Sequence, residues 1–165
     1  MAKIQMTGMK EYIKELENVA WATSDICKAV VYRGAAVVAD EIKAGIRGLR
    51  VVSDKDALAA YQKGVPTLIS YTQKKGLLES FGVARIQESY GYVSTKLGFD
   101  GYNEVITNEW PHGQPNQLIA RACESGSVAM IKQPFMRPSQ NRVKNKALDA
   151  MRDTADKELK KLTGG

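Results

Sequence analysis

Few residues of this chain are of the types that perform chemistry, and they lie far apart in sequence. His112, the only histidine, stands in EWPHGQP, where it could act as a general base. It has no catalytic partner in the surrounding sequence, and a lone loop histidine is more often a polar surface residue. The two cysteines, Cys27 and Cys123, form no CxxC pair, so we expect neither a disulfide framework nor a zinc site. Both thiols are expected to be small apolar packing groups.

The local signatures of common enzymes are also missing from the sequence. It contains no GxGxxG, GxxxxGK[ST], HExxH or GxSxG motif, which would indicate phosphate loops, zinc proteases or hydrolases. The carboxylates between residues 79 and 124 show no spacing that singles out an acid and base pair. We therefore expect a protein that is not an enzyme and uses no cofactor or metal. An enzyme of unknown type is the third-ranked alternative.

The composition of the 165-residue chain is that of an ordinary globular protein. With 44% apolar and 25% charged residues it can bury a core, and it shows no bias towards disorder. No apolar run approaches the roughly 18 residues of a membrane helix, and the first ten residues lack an apolar signal region. We expect a single domain over residues 1–165 that is made in a cytoplasm and does not contact a membrane.

The net charge of +6 is concentrated near the C-terminus. Residues 132–165 carry nine basic and four acidic side chains, which accounts for +5 of the total. Such a segment can contact a DNA backbone or an acidic protein surface, and the candidate contacts are Arg142, Lys144 and Lys146. Aspartates are interleaved with the lysines, however, as on a solvated helix face with internal ion pairs. A basic nucleic-acid-binding module is therefore the alternative function.

Helical periodicity dominates both ends of the chain. Apolar residues recur every three or four positions in residues 9–20, and a second apolar face extends over residues 26–42. Ser24 or Asp25 could cap this second helix. Small residues within it would let another element approach closely, and they are Gly34, Ala35, Ala36 and Ala39. A long terminal helix is predicted with an apolar face at Val143, Ala147, Ala150, Met151, Thr154, Leu159 and Leu162.

The middle of the chain predicts short elements. Residues 53–63 indicate a short helix, whereas residues 65–76 are expected to be irregular. Alternating apolar residues after Gly82 predict an antiparallel strand pair or meander. A further short helix would be capped by Asn116 and end at Gly126. The predicted fold is α+β, with two N-terminal helices and a long C-terminal helix packed on a small, mainly antiparallel β-sheet.

Residues 100–116 are predicted to form a long loop, because they are rich in glycine, asparagine and proline. Loops of this length are usually functional or mobile. The loop carries two large aromatic residues without helical or strand periodicity, and few backbone constraints are expected to hold it. It is therefore a candidate partner-binding loop through Tyr102, Trp110 and His112.

The sequence QPFMRPS predicts a rigid elbow made of Pro134, Phe135, Arg137 and Pro138. Proline fixes its own φ and disfavours the helical conformation of the residue before it, so Gln133 and Arg137 should be extended. The terminal helix should then begin at Ser139. Phe135 is expected to dock into the core, with Arg137 held beside it by a carboxylate or by carbonyl groups. A contact surface for another subunit is the alternative interpretation.

Several segments, taken in order, carry a resemblance: GMKEYIKELENVA, AAVVADEIKAGI, KKGLLESFGVARIQ, GYVSTKLGFDGYN and IARACESGSVAMIKQPFMRPS. Together they resemble the neck or tail-completion proteins of siphovirus-type bacteriophages, the family named after the tenth gene product of coliphage Hong Kong 97. The pair ACESGS and QPFMRPS is the most specific part, because it is similar to the family's glutamate and glycine-threonine turn followed by a proline, phenylalanine, arginine, proline elbow. The chain departs from the family at residues 73–76, where an acidic, threonine and glycine turn is common, and at Ser127, where threonine is common.

The resemblance implies a structural role in virion assembly. The protein would join the phage head to the tail or complete the upper end of the tail, as several copies around the DNA channel. The implied partners are other neck and tail proteins (a tail terminator, a head-completion or a connector protein) and its own copies in a ring, with non-specific DNA contact possible. The protein would be found in the cytoplasm of the bacterial host and then at the head-tail junction of the virion.

Overall fold

The fold is α+β, as the sequence predicts. The computed structural model describes the backbone of residues 9–163 and the side chains of residues 23–162. In chain order the elements are α1 (Met9–Arg47), β1 (Val51–Val52), α2 (Asp54–Gln62), β2 (Ile69–Ser70), α3 (Tyr71–Ser80), β3 (Phe81–Val83), β4 (Gln87–Ser89), β5 (Tyr92–Ser94), β6 (Leu97–Phe99), α4 (Asn116–Ser125) and α5 (Met136–Thr163). None of the helices in this described part is long and apolar enough to cross a membrane.

The N-terminal region forms one helix, α1, where the sequence predicts two. No proline or glycine interrupts the chain between the two predicted helices. Ser24, expected to cap the second helix, directs its hydroxyl to the carboxylate oxygens of Glu88, at 2.9 and 3.0 Å. Lys28 Nζ approaches the same carboxylate at 2.9 Å. The potential cap residue is therefore used in a contact with a distant strand, and the helix continues through it.

Helices α1 and α5 pack against each other along much of their length. A Cβ atom added to Gly34 would lie 2.6 Å from Met151 Sδ, and one added to Gly45 would lie 2.7 Å from Ser139 Oγ. The later α1 residue meets the earlier α5 residue, so the helices run antiparallel. The expectation that small residues of α1 admit a neighbouring element is confirmed, with Ala35 and Ala39 also buried.

Helix α2 forms where the sequence predicts a helix, whereas α3 forms in a segment predicted to be mostly irregular. Ser53 caps α2 by accepting a hydrogen bond from Asp56 N–H at 3.1 Å. The expectation of an irregular stretch over residues 65–76 is wrong, because Ser70 and Gln73 form a reciprocal capping box that begins α3. Strand β2 lies just before this box and pairs in parallel with β1, so the small sheets are mainly but not wholly antiparallel.

The remaining strands form the predicted antiparallel arrangement. Strand β3 pairs with β6, and β4 pairs with β5 further along the same hairpin. Tyr90 and Gly91 make the turn with positive φ values of 49° and 79°, which suits a tight hairpin of right-handed twist. Phe81 on β3 is buried, while Tyr90 at the tip is fully exposed. The base of the hairpin thus belongs to the core and its tip reaches towards α1 through Glu88.

Buried residues from α1, β2, α3, β3, α4 and the elbow, with two from connecting segments, form one core. Its members are Ala39, Ile42, Ile46, Leu49, Ile69, Leu77, Phe81, Ile119, Ala120, Cys123, Met130 and Phe135. Asn116 contributes differently from the prediction: it is the first residue of α4, and Pro115 precedes it in the cap position without a side-chain hydrogen bond. Asn116 Nδ2 instead donates to the carbonyl of Asp100 at 3.0 Å, which ties α4 to the start of the long loop.

Candidate functional site

The proline elbow is built around the carboxylate of Glu124. One oxygen, Oε2, accepts the N–H groups of Phe135 at 2.8 Å and Met136 at 2.9 Å, and Oε1 accepts the N–H of Arg137 at 3.0 Å. These amides are at the start of α5, where helix N–H groups have no partner within the helix. Pro138, the next residue, has no N–H to satisfy. A single side chain from α4 therefore caps the whole first turn of α5.

The electrostatics of this cap favour the ionised carboxylate. Desolvation alone would raise the pKa of Glu124, but the three amide hydrogen bonds and the nearby Arg137 guanidinium together hold that pKa below its ordinary value. The start of a helix also carries partial positive charge, which favours an anion there. Glu124 thus joins the end of α4 to the start of α5 as a charged link.

The terminal helix begins three residues before the predicted Ser139. Arg137 is helical, and the expectation that it would be extended is wrong. The steric preference imposed by Pro138 is overcome because the helical conformation directs Arg137 N–H at Glu124. The first helical hydrogen bond then runs from Ser139 N–H to the carbonyl of Phe135, at 3.2 Å. Arg137 is held beside Phe135 by a carboxylate, as expected, but through its backbone, and its side chain is exposed.

Phe135 is part of the core, with 3% of its surface exposed. Its ring meets the ring of Phe99 edge-on at a centroid distance of 6.1 Å, and Phe99 meets Phe81 at 5.0 Å. Such tilted and edge-to-face contacts are favourable arrangements for aromatic rings. The expectation that Phe135 docks into the core agrees with this packing, which joins the elbow to the base of the β3–β6 hairpin.

A second link fixes the other side of the elbow. Gln133 Nε2 donates to the carbonyl of Arg50, and Arg50 N–H donates to Gln133 Oε1, both at 3.0 Å. The side-chain amide of Gln133 therefore pairs with the backbone of Arg50 as another strand would. This pairing holds the segment after α1 against the residue that precedes Pro134.

Two clefts of about 520 and 590 Å³ lie on either side of the elbow and share Lys132, Pro134 and Pro138 as lining residues. We call this region the elbow face. Its basic lining residues are Arg50, Lys132, Arg137 and Arg142, and its one acidic lining residue is Glu124. Since Glu124 is engaged by the α5 amides, the elbow face is cationic.

The long loop is more constrained than the sequence suggests. Tyr102 and Pro115 form an isolated antiparallel bridge at its base, where Asn103 N–H donates to the Gln114 carbonyl at 2.9 Å. Further along, the backbones of Thr107 and Trp110 exchange hydrogen bonds at 3.0 and 3.2 Å. The expectation that few backbone constraints hold this loop is therefore wrong.

The candidate loop residues and the elbow lie along different clefts. Tyr102 is 65% exposed and lines a cleft of about 250 Å³ together with Gly76 and Asn103. Trp110 is half-buried and His112 is exposed. Tyr102 and His112 are thus both accessible on the surface.

The three cations singled out on α5 differ in their surroundings. Arg142 lines the elbow face, and its Nη1 lies 3.2 Å from Glu41 Oε1 on α1. Lys144 and Lys146 are exposed on the same helix. Other basic side chains of α5 pair within the helix, Arg152 with Asp149 and Lys161 with Glu158. These ion pairs balance part of the positive charge of α5.

The residue types that could perform chemistry are not assembled into a reactive centre. Cys123 lies in the core with its Sγ 3.4 Å from Met130 Sδ, and burial, followed by the charge of Glu124, raises the pKa of the thiol to about 12. Such a thiol is unreactive, which supports its role in packing. Cys27 is exposed on α1, contrary to the expectation that both cysteines pack inside. Among the described residues, no group of three His, Cys, Asp or Glu side chains could hold a metal ion.

The most important site residues that the sequence did not single out individually are Glu124 and Gln133. The sequence presents Glu124 as one of several carboxylates between residues 79 and 124 and as part of the motif ACESGS, and Gln133 as the residue before a proline. A helix that starts with Met-Arg-Pro and has no Ser, Thr, Asp or Asn before it lacks a local cap, which signals that a distant acceptor must supply one. The partner itself could not be identified without the tertiary structure.

In comparisons with known proteins, no family model, curated protein or solved structure matches this chain. The resemblance to phage neck proteins therefore stays a prediction.

Proposed function

We propose that this protein is a structural component of a siphovirus-type phage or prophage that joins the head to the tail or completes the upper end of the tail. The observation that carries the proposal is the contact between ACESGS and QPFMRPS, the two most specific segments of the resemblance. Glu124 of ACESGS caps the first turn of the helix that begins within QPFMRPS. This physical coupling supports the view that the two segments form one motif.

The shape of the molecule suits an assembly protein. Helix α1 has 39 residues and is about 58 Å long at the usual rise per residue. Among the side chains that the structure describes, the α1 members of the core cluster begin at Ala39, and α5 lies alongside the preceding part of α1 at Gly34. Large side chains exposed on several elements, such as Tyr71, Tyr90 and Tyr102, provide contact area for neighbouring subunits.

The proposed partners are a tail terminator, a head-completion or connector protein and further copies of this chain in a ring around the DNA channel. Assembly would take place in the cytoplasm of the bacterial host, after which the protein stays at the head-tail junction. It would act by binding and would need no cofactor.

The test is genetic removal of this chain from the phage or prophage that encodes it. We expect lysates to contain DNA-filled heads and separate tails by electron microscopy, and expression of the chain from a plasmid should restore joined particles. A normal yield of infectious particles in the absence of the chain would refute the proposed function.

A basic nucleic-acid-binding module is the weaker candidate. The exposed Lys144 and Lys146 on α5 favour it, whereas the ion pairs of Arg142, Arg152 and Lys161 reduce the charge left for phosphates. A gel-shift series against salt separates the two functions. A DNA-binding protein should give a steep salt dependence and a low-salt affinity well below micromolar, which the proposed function does not require.

A further inference from the structure

We infer that the elbow face binds an acidic, extended polypeptide segment of a neighbouring protein. This inference rests on the proposed function for the identity of that neighbour, while the chemistry of the segment follows from the structure. Four cationic side chains line the two clefts around Pro134 and Pro138, and they come from the segment after α1, the segment before the elbow and the start of α5. An acidic partner complements this charge.

The backbone that carries two of these cations and the side chain of a third are fixed before any partner binds. The Gln133 amide fixes the backbone at Arg50, and the Glu124 carboxylate fixes the backbone at Arg137. Glu41 holds the Arg142 guanidinium at 3.2 Å. Groups that are already fixed lose less conformational entropy on binding, so each contact contributes more to the affinity.

The shape of the elbow face favours a polypeptide over DNA. Its cations surround two concave clefts separated by exposed prolines, and an extended chain can lie across such a ridge with side chains entering each cleft. A DNA duplex presents a wide convex surface to a protein and would meet only the rim. The proline rings also offer apolar contact that a peptide can use and a phosphate backbone cannot.

The amides at the start of α5 are not available to bind a carboxylate of a partner. Glu124 already occupies the amides at the start of α5, so a bound segment has to be recognised by the side chains of the elbow face. Arg50 and Lys132 are exposed, and neither side chain makes a hydrogen bond or ion pair within the described part of the chain. These two cations are therefore the ones available to carboxylates of a partner.

The test uses the full chain and a fluorescein-labelled peptide of alternating glutamate and proline residues, which is extended and acidic. Binding is followed by fluorescence anisotropy at physiological ionic strength. The site variant is Arg50→Gln with Lys132→Gln. Its matched control is Lys55→Gln with Lys63→Gln, which removes the same charge from exposed positions outside the clefts. Thermal unfolding of each variant shows that its fold is kept.

We expect the site variant to weaken peptide binding about tenfold or more and the control to change it less than about twofold. A peptide of alternating glutamine and proline should not bind. Equal losses in both variants would mean that the peptide senses overall charge, and that result would overturn the inference, as would the absence of peptide binding to the parent chain. Tighter binding of a random DNA duplex than of the peptide, lost in the site variant, would overturn it in favour of a phosphate-binding surface.

The binding test is separate from the test of the proposed function. If the parent chain binds the peptide through the elbow face but phage yield is normal without the chain, only the proposed function fails. If removal of the chain separates heads from tails but the peptide does not bind, only the inference fails.

Discussion

At the scale of single residues, Phe135 anchors the elbow because its ring is buried between the hairpin base and α1. Replacing it by alanine removes these contacts and leaves a cavity. We expect Phe135→Ala to lower the free energy of unfolding by about 3 to 5 kcal/mol, measured by chemical denaturation. Arg137→Ala, at an exposed neighbouring position, should change it by less than about 0.5 kcal/mol. Equal stabilities of Phe135→Ala and the parent would show that the buried ring does not stabilise the fold.

Glu124 gives the protein a predictable response to acid. Its pKa is lower in the folded protein than in the unfolded chain, so its contribution to stability is fully present above the unfolded pKa of about 4.3. The contribution is lost as the pH falls through the lower folded pKa. Glu124→Gln removes the charge and one acceptor, and we expect a loss of about 1 to 3 kcal/mol at neutral pH.

Glu124→Gln should also lose less stability than the parent when the pH is lowered from neutral to about 3, as followed by denaturation at several pH values. Glu79→Gln is the control, because Glu79 only forms a long, exposed ion pair with Lys75 at 4.0 Å. If Glu124→Gln and the parent respond to acid alike, the cap does not depend on the ionised carboxylate.

At the scale of elements, the contact between α1 and α5 depends on Gly45. A Cβ atom there would lie 2.7 Å from Ser139 Oγ and 3.3 Å from the Phe135 carbonyl oxygen. The helix propensity gained with alanine is about 1 kcal/mol, whereas overpacking costs about 1 to 3 kcal/mol. We expect Gly45→Ala to destabilise the fold by about 1 kcal/mol, with part of the loss recovered when Ser139→Ala is added.

Gly48→Ala is the control for the Gly45→Ala variants, because its added Cβ would only make ordinary contacts, the nearest at 3.4 Å. It should be neutral or slightly stabilising in the same denaturation experiment. A Gly45→Ala protein as stable as the Gly48→Ala protein would show that α5 can move away from α1 without cost.

The long loop can be tested through its outer part. Asn103 and Gly113 are buried at its base, so removing residues 103–114 would also remove packing against Gly76. Replacing only residues 106–111 by a short glycine-serine link spares these contacts. We expect this variant to unfold at nearly the parent temperature but to fail to restore joined particles in phage that lack the chain. Full restoration of phage yield would exclude the outer loop as a partner contact.

At the scale of the whole molecule, the isolated protein is expected to be monomeric or weakly associating. Its buried apolar residues form one core in the described part of the chain, and α1 and α5 pack closely at Gly34 and Gly45. No long heptad seam extends along the helices to support a coiled coil with another copy. Static light scattering at micromolar concentration should therefore give the monomer mass, and ring formation would require partner proteins. A stable ring of the purified chain would contradict this expectation.

Features that depend on local chemistry follow from the sequence alone. The periodicity of apolar residues predicted helical structure at both ends, although it divided α1 into two helices. The alternation after Gly82 predicted the antiparallel strand pairs, and the aromatic character of Phe135 predicted its burial. These features follow from neighbouring residues, because helix and strand patterns repeat over a few positions. The capping box at Ser70 was equally local, and it shows that α3 could have been predicted.

Features that depend on residue pairs distant in sequence follow from the tertiary packing. Ser24 could have capped a helix, but Glu88, 64 residues away, takes its hydroxyl, and α1 continues. The first turn of α5 forms three residues early because Glu124 supplies acceptors that no local residue offers. Arg50 joins the elbow through Gln133, 83 residues later in the chain. The polar groups in each case have several possible partners, and the packing of the core selects the one that lies within hydrogen-bond distance.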